Sequence, residues 1–145
     1  MVPSTWGLSP RRSIEAECAR RGRAAVVFGC AQLVAGNDAD PGLLLALGGP
    51  AAANFLDGRP HVDAYWLRVW GARGLLWAWD DSALDAVRLA LEDDAWRVRE
   101  MAAKVAARHL LGDVLSAVAG LLEDPVPRVR TAASRAVARM TQAGV

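Results

Sequence analysis

Lysine is almost missing from this chain: of 17 basic residues, 16 are arginine and Lys104 is the only lysine. Cysteine is scarce too. Cys18 and Cys30 form no C-x-x-C and are too few for a disulfide framework. They read as buried thiols in a reducing compartment, with a Cys18–Cys30 bridge as the alternative. The two histidines, His61 and His109, stand far apart, and no His-x-x-x-His, cysteine cluster or carboxylate-rich ligand set occurs. No metal site is therefore expected. No G-x-x-x-x-G-K-[ST] or G-x-G-x-x-G is present to cradle a nucleotide, and no cofactor is expected.

Long apolar runs are lacking as well. The longest, Ala24–Ala35, contains Gly29 and Gln32 and is too short to span a bilayer. The N-terminal stretch Met1–Trp6 has no basic region followed by an apolar core, so no signal peptide is visible. These absences predict a cytoplasmic protein that is not an enzyme and does not enter a membrane. The net charge of +1 gives no global push toward nucleic acid or membrane. Twenty-nine alanines beside the arginine excess suggest a GC-rich bacterial genome. The same skew warns against reading every arginine cluster as a site.

What the chain does have is a period. Leu67-Arg68, Val98-Arg99 and Val129-Arg130 recur every 31 residues, and Leu84–Arg108 matches Leu115–Arg139 at 12 of 25 positions. Self-similarity at this spacing marks a repeat architecture, in which each unit buries its face against its neighbours. Helix signals recur and nothing reads as a strand. Ser9-Pro10 caps a helix to about Arg21, and Arg23–Ala35 forms a second. Asp40-Pro41 opens Leu43–Leu47, and Ala51–Leu56 follows Gly48-Gly49-Pro50. Asp63 is expected to cap a long helix over Tyr65–Trp79. Short and long helices then alternate: Ala83–Glu92, Trp96–Leu110, Val114–Glu123 and Pro127–Gln142. Leu84, Val87, Leu91 and Leu115, Val118, Leu122 form core stripes at i, i+3, i+7. Gly71 and Gly74, costly inside a helix, predict close helix packing. Trp6 is expected to plug the first helix.

The segment Asp124-Pro125-Val126-Pro127-Arg128-Val129-Arg130 resembles a HEAT repeat, with an Asp-Pro turn and then Val-Arg near the start of the second helix. Asp93-Asp94-Ala95-Trp96-Arg97-Val98-Arg99 is similar, with Asp94 where proline is usual. Asp63–Arg68 is a weaker copy, with Val62 in place of the first Asp. The resemblance covers about 50–142 and implies an all-α fold: a short right-handed α-solenoid of antiparallel helix pairs. Repeats would span about 50–79, 80–110 and 111–142. Residues 1–49 would be a divergent N-terminal repeat or cap of the same continuous domain. It further implies that Arg68, Arg99 and Arg130 pair with Asp93 and Asp124 in a structural ladder between repeats.

Arg73, Lys104 and Arg135 occupy equivalent positions in the three long helices. Arg108 and Arg139 are equivalent one turn later, where Trp77 stands in the first copy. By the resemblance, second helices line the concave face, so these five would form a basic ridge along a groove. Either they are solvated helix faces or they bind an anionic partner. Trp66, Trp70 and Trp77 share one face of the expected Tyr65–Trp79 helix, and read as core or as an aromatic hot spot. Trp77, Trp79 and Asp80 also supply the ingredients of a HEAT-like DNA glycosylase, without its specific motif. The expected function is a non-enzymatic scaffold or protein-interaction module, with phosphate-tracking nucleic-acid binding as the alternative. Val129, Ala133, Val137 and Met140, with no following repeat over them, suggest a homodimer through the C-terminal helix.

Overall fold

The computed structural model describes residues 8–144. Trp6 lies outside them. The described residues form eight α-helices and no strand. These are α1 (Pro10–Arg21), α2 (Arg23–Val34), α3 (Pro41–Gly48), α4 (Tyr65–Gly74), α5 (Leu84–Leu91), α6 (Trp96–His109), α7 (Leu115–Gly120) and α8 (Pro127–Gln142). The fold is an all-α solenoid of HEAT-like character.

Local chemistry accounts for most boundaries. The Ser9 hydroxyl accepts from Arg12 N at 3.2 Å, with Pro10 at the first helical position. The Asp40 carboxylate accepts from Leu43 N at 3.1 Å ahead of Pro41 in the same way. Gly22 holds φ +91°, a conformation that lets one residue end α1 and begin α2. Asp93 and Asp124 accept from the amides two residues on, Ala95 at 2.8 Å and Val126 at 2.9 Å, turning the chain into α6 and α8.

Three expectations fail locally. Asp63 does not cap α4: Ala64 before it is already helical, at φ −60° and ψ −15°, and bears no side-chain cap. A capping side chain needs an extended backbone at that point to reach the following amides. The expected Tyr65–Trp79 helix stops at Gly74. The chain then tightens into i→i−3 bonds, Leu76 N to Arg73 O and Trp77 N to Gly74 O. Ala51–Leu56 is not α-helical but part of a 3₁₀ segment, Gly49–Phe55.

Contacts trace two layers. α1, α2, α5 and α7 follow one another in the first, and α3, α4, α6 and α8 in the second. Across the layers α1 packs on α3, α2 on α4, α5 on α6 and α7 on α8. The division expected between residues 49 and 50 is therefore not where the packing divides, because α2 pairs with α4 across that boundary. Gly71 and Gly74 make this approach close. A Cβ on Gly71 would stand 2.8 Å from the Cys30 carbonyl, and one on Gly74 would stand 2.5 Å from Cys30 Sγ. Cys30 is wholly buried there, and burial pushes its thiol up to about 12. Both cysteines are free. One contiguous core runs from Ile14 to Met140.

Candidate binding groove

The Arg–Asp ladder joins the second-layer helices. Arg68 donates to both oxygens of Asp93 (Nε 2.7 Å, Nη2 3.1 Å), and Arg99 repeats the fork on Asp124 (2.8 and 3.1 Å). Arg99 Nη1 also donates to the Asp93 carbonyl at 2.8 Å, and Arg130 Nη1 to the Asp124 carbonyl at 2.7 Å. Arg99 and Arg130 thus close their own turns, and Arg68 and Arg99 grip the next one. The Arg99 guanidinium and the Val126 amide hold the Asp124 carboxyl below its ordinary value, and the Asp93 carboxylate raises Arg68.

A second interlock was not anticipated. The Arg73 Nη2 donates to the Leu47 carbonyl at 2.7 Å, His109 Nε2 to the Leu75 carbonyl at 2.6 Å, and Arg139 Nε to the Ala107 carbonyl at 2.9 Å. Every donor comes from the next helix of the layer and satisfies a carbonyl near the C-terminal end of the preceding one, where orphan acceptors lie. Arg73 is therefore absent from the expected ridge. It lies partly buried against the end of α3, its Nε has no partner, and burial lowers its guanidinium pKa.

The other four expected ridge residues do converge. Lys104, Arg108, Arg135 and Arg139, all exposed, rim a groove of about 620 Å³ between α6 and α8. Its floor is apolar: Leu76, Ala107, Ala132 and Ala136. One carboxylate enters, Glu100, 7% exposed and held by Arg128 through two bonds of 3.0 and 3.1 Å. Lys104 Nζ stands 3.9 Å from it.

Past Leu76, Arg108 and Arg139 the groove runs into a second depression of about 520 Å³, lined also by Arg11, Glu15, Arg23, Trp77, Trp79 and His109. Together the two are lined by seven basic and two acidic side chains, in a chain whose net charge is +1. The positive charge is gathered on this surface and is not spread over the molecule.

The tryptophans divide. Trp66 and Trp70 stack on α4 with centroids 6.3 Å apart, beside Phe55, Tyr65 and His61. Trp70 is 6% exposed and belongs to the core. Trp77, beyond the end of α4, lies in the basic depression, so the three do not form one hot spot. Trp79 stacks on His109 at 4.8 Å. Asp80 turns back onto Ser82 N at 3.0 Å and does not line the depression with them. A column of cation–π contacts runs along the second layer: Arg97 lies over Trp66 and Trp96, and Arg128 over Trp96. The period held its signal, since positions 66, 97 and 128 are equivalent.

The apolar side of α8 points inward. Val129, Ala133 and Met140 are 0% exposed and Val137 is partly buried, so the uncovered face that suggested a homodimer is not there. Among the described residues no group of three His, Cys, Asp or Glu could hold a metal, and no helix is long and apolar enough to cross a membrane.

The family model of the HEAT repeat matches residues 114–144, the segment that carries α7 and α8. No curated protein and no solved structure matches the chain. The C-terminal unit is similar to a HEAT repeat, and repeats of that kind point to a helical protein-interaction or scaffold module.

Proposed function

We propose that this HEAT-type solenoid is a non-enzymatic interaction module that takes an acidic, amphipathic segment of another protein into the α6–α8 groove. The observation that carries the reading is the groove's construction, an apolar floor under a rim of exposed Lys104, Arg108, Arg135 and Arg139. Apolar side chains of a partner would bury against the alanines and Leu76, while its carboxylates meet the rim and steer the encounter.

Phosphate tracking by the same rim is the competing reading. A nucleic-acid backbone has no use for an apolar floor. The two separate by experiment. Lys104→Gln combined with Arg135→Gln removes two exposed rim charges and sets no carboxylate beside Glu100, so the variant should keep its melting temperature. Protein partners captured by the wild type should be lost from it. Undiminished capture by the folded variant sinks the groove reading. Retention on DNA or RNA at low salt, with a log K against log salt slope that flattens by about 0.9 for each duplex contact removed, would favour the competitor.

A further inference from the structure

The second depression has a character of its own. Its cations come from four helices: Arg11 from α1, Arg23 from α2, Arg108 from α6 and Arg139 from α8. Only one carboxylate lines it, Glu15, which is exposed and 3.2 Å from Arg11. Arg139 uses Nε on the Ala107 carbonyl and keeps its other nitrogens. Among the described residues, Arg23 and Arg108 pair with no carboxylate.

Their placement separates structural from functional charge. Arg108 and Arg139 sit in the last turns of α6 and α8, where the helix dipole favours a cation. Arg11 and Arg23 sit in the first turns of α1 and α2, where it disfavours one. In α6 and α8 the first-turn arginines have partners inside the protein. Arg99 and Arg130 close the ladder, Arg97 lies over two indoles, and Arg128 holds Glu100. Among the described residues Arg12 and Arg23 have neither a carboxylate, a carbonyl nor a ring, and of the two only Arg23 lines the depression, where no side chain caps the α2 N-terminus beside it. Half-exposed Trp77 and Trp79 complete the wall. Several guanidinium forks and two indole faces, with one peripheral carboxylate, are complementary to a compact dianion carried on an apolar or aromatic group.

We propose that this depression, between the start of α2, the 75–79 turn and the ends of α6 and α8, binds a phosphomonoester group displayed by a partner protein. The proposal rests on the groove reading and adds an anchor to it: the acidic segment lies along α6–α8 and its phosphorylated residue seats among Arg11, Arg23, Arg108 and Arg139. Unphosphorylated, the segment would keep the groove contacts and lose the anchor.

The probes are phenyl phosphate, its carboxylate analogue phenylacetate, AMP and a short phosphotyrosyl peptide, followed by tryptophan fluorescence and calorimetry. Phenyl phosphate should bind saturably, and phenylacetate at least about tenfold more weakly, because forked contacts to a dianion are lost. Arg23→Gln, an exposed change, should weaken phenyl phosphate about tenfold. Lys104→Gln with Arg135→Gln, which lies outside the depression and sets no carboxylate beside Arg108 or Arg139, should leave phenyl phosphate affinity within about threefold of wild type while abolishing capture of the acidic partner. The anchor and the groove therefore fail separately. Equal affinity for phenylacetate, or indifference to Arg23→Gln, overturns the phosphate site. Tighter binding of the phosphotyrosyl peptide than of AMP supports a protein as the source, and the reverse order overturns it.

Discussion

The two ends of this solenoid solve one packing problem in different ways. From α5 to α8 a single rule repeats, with an aspartate turn, an arginine fork and alanine-faced long helices set 31 residues apart. From α1 to α3 no rule repeats, and α4 shares the periodic links through Arg68 and Arg73. There α2 reaches past its chain neighbour to pair with α4, glycines make the approach, and Glu17, buried, is held by Arg20 and Arg21. Periodic packing rests on a few transferable polar links, whereas the irregular end rests on steric fit at particular positions. The two should fail under different substitutions.

The largest expected effect is at the periodic end. Asp124→Ala removes a carboxylate whose side chain is 4% exposed and strands Arg99, 15% exposed, so a loss of about 2–3 kcal/mol should appear in denaturant unfolding. Asp93→Ala should cost less, about 1–1.5 kcal/mol, because Arg68 is 30% exposed and water can replace the lost partner. A larger loss at Asp93 than at Asp124 would contradict this account of the ladder.

At the irregular end Gly71→Ala tests steric fit. The new methyl meets the backbone carbonyl of Cys30, which cannot swing aside, so overpacking outweighs the helix-propensity gain and the net loss is about 1–2 kcal/mol. The same substitution at Gly120, the last residue of α7, meets nothing within 4 Å at a helical φ of −58°. It should stabilise by about 0.5 kcal/mol. Thermal melts of both variants decide the matter, and shifts of the same sign would remove the distinction drawn between the ends.

The smallest effect is one of pH. Burial and Arg108 hold His109 below its ordinary 6.5, so the folded protein prefers the neutral ring more than the unfolded chain does. The associated stability is complete above about pH 6.5 and is lost as pH falls through the lowered folded value. Asp124, also lowered, adds a loss further into acid, below its ordinary 3.8. Melting temperature should therefore dip slightly on mild acidification, and His109→Gln should flatten that dip while leaving the steep acid limb.

How much was legible in the sequence follows the same divide. Arg68, Arg99, Asp93 and Asp124 could be placed because their partners lie one period away, and so could the convergence of Lys104, Arg108, Arg135 and Arg139. Arg73 was misplaced because its neighbour is the end of α3, a helix outside the period. Trp77 was misplaced because a face drawn on a helix assumes the helix continues, and this one tightens after Gly74. His109 carried no sequence signal for its bond to a backbone carbonyl, since an acceptor of that kind is common to every residue. The depression containing Arg11 and Arg23 is lined by the first helices and the last together, a juxtaposition that no local pattern encodes.

The pairing of α2 with α4 also bears on the order in which the chain can mature as it is synthesised. In a simple repeat array each helix pair closes as soon as it is made. Here the face that α2 buries is supplied by α4, so Cys30 and Leu33 stay uncovered until the chain has grown past Gly74. Elongation past Gly74 precedes closure of the α2–α4 pair. The regular units that follow then have a finished template on which to stack.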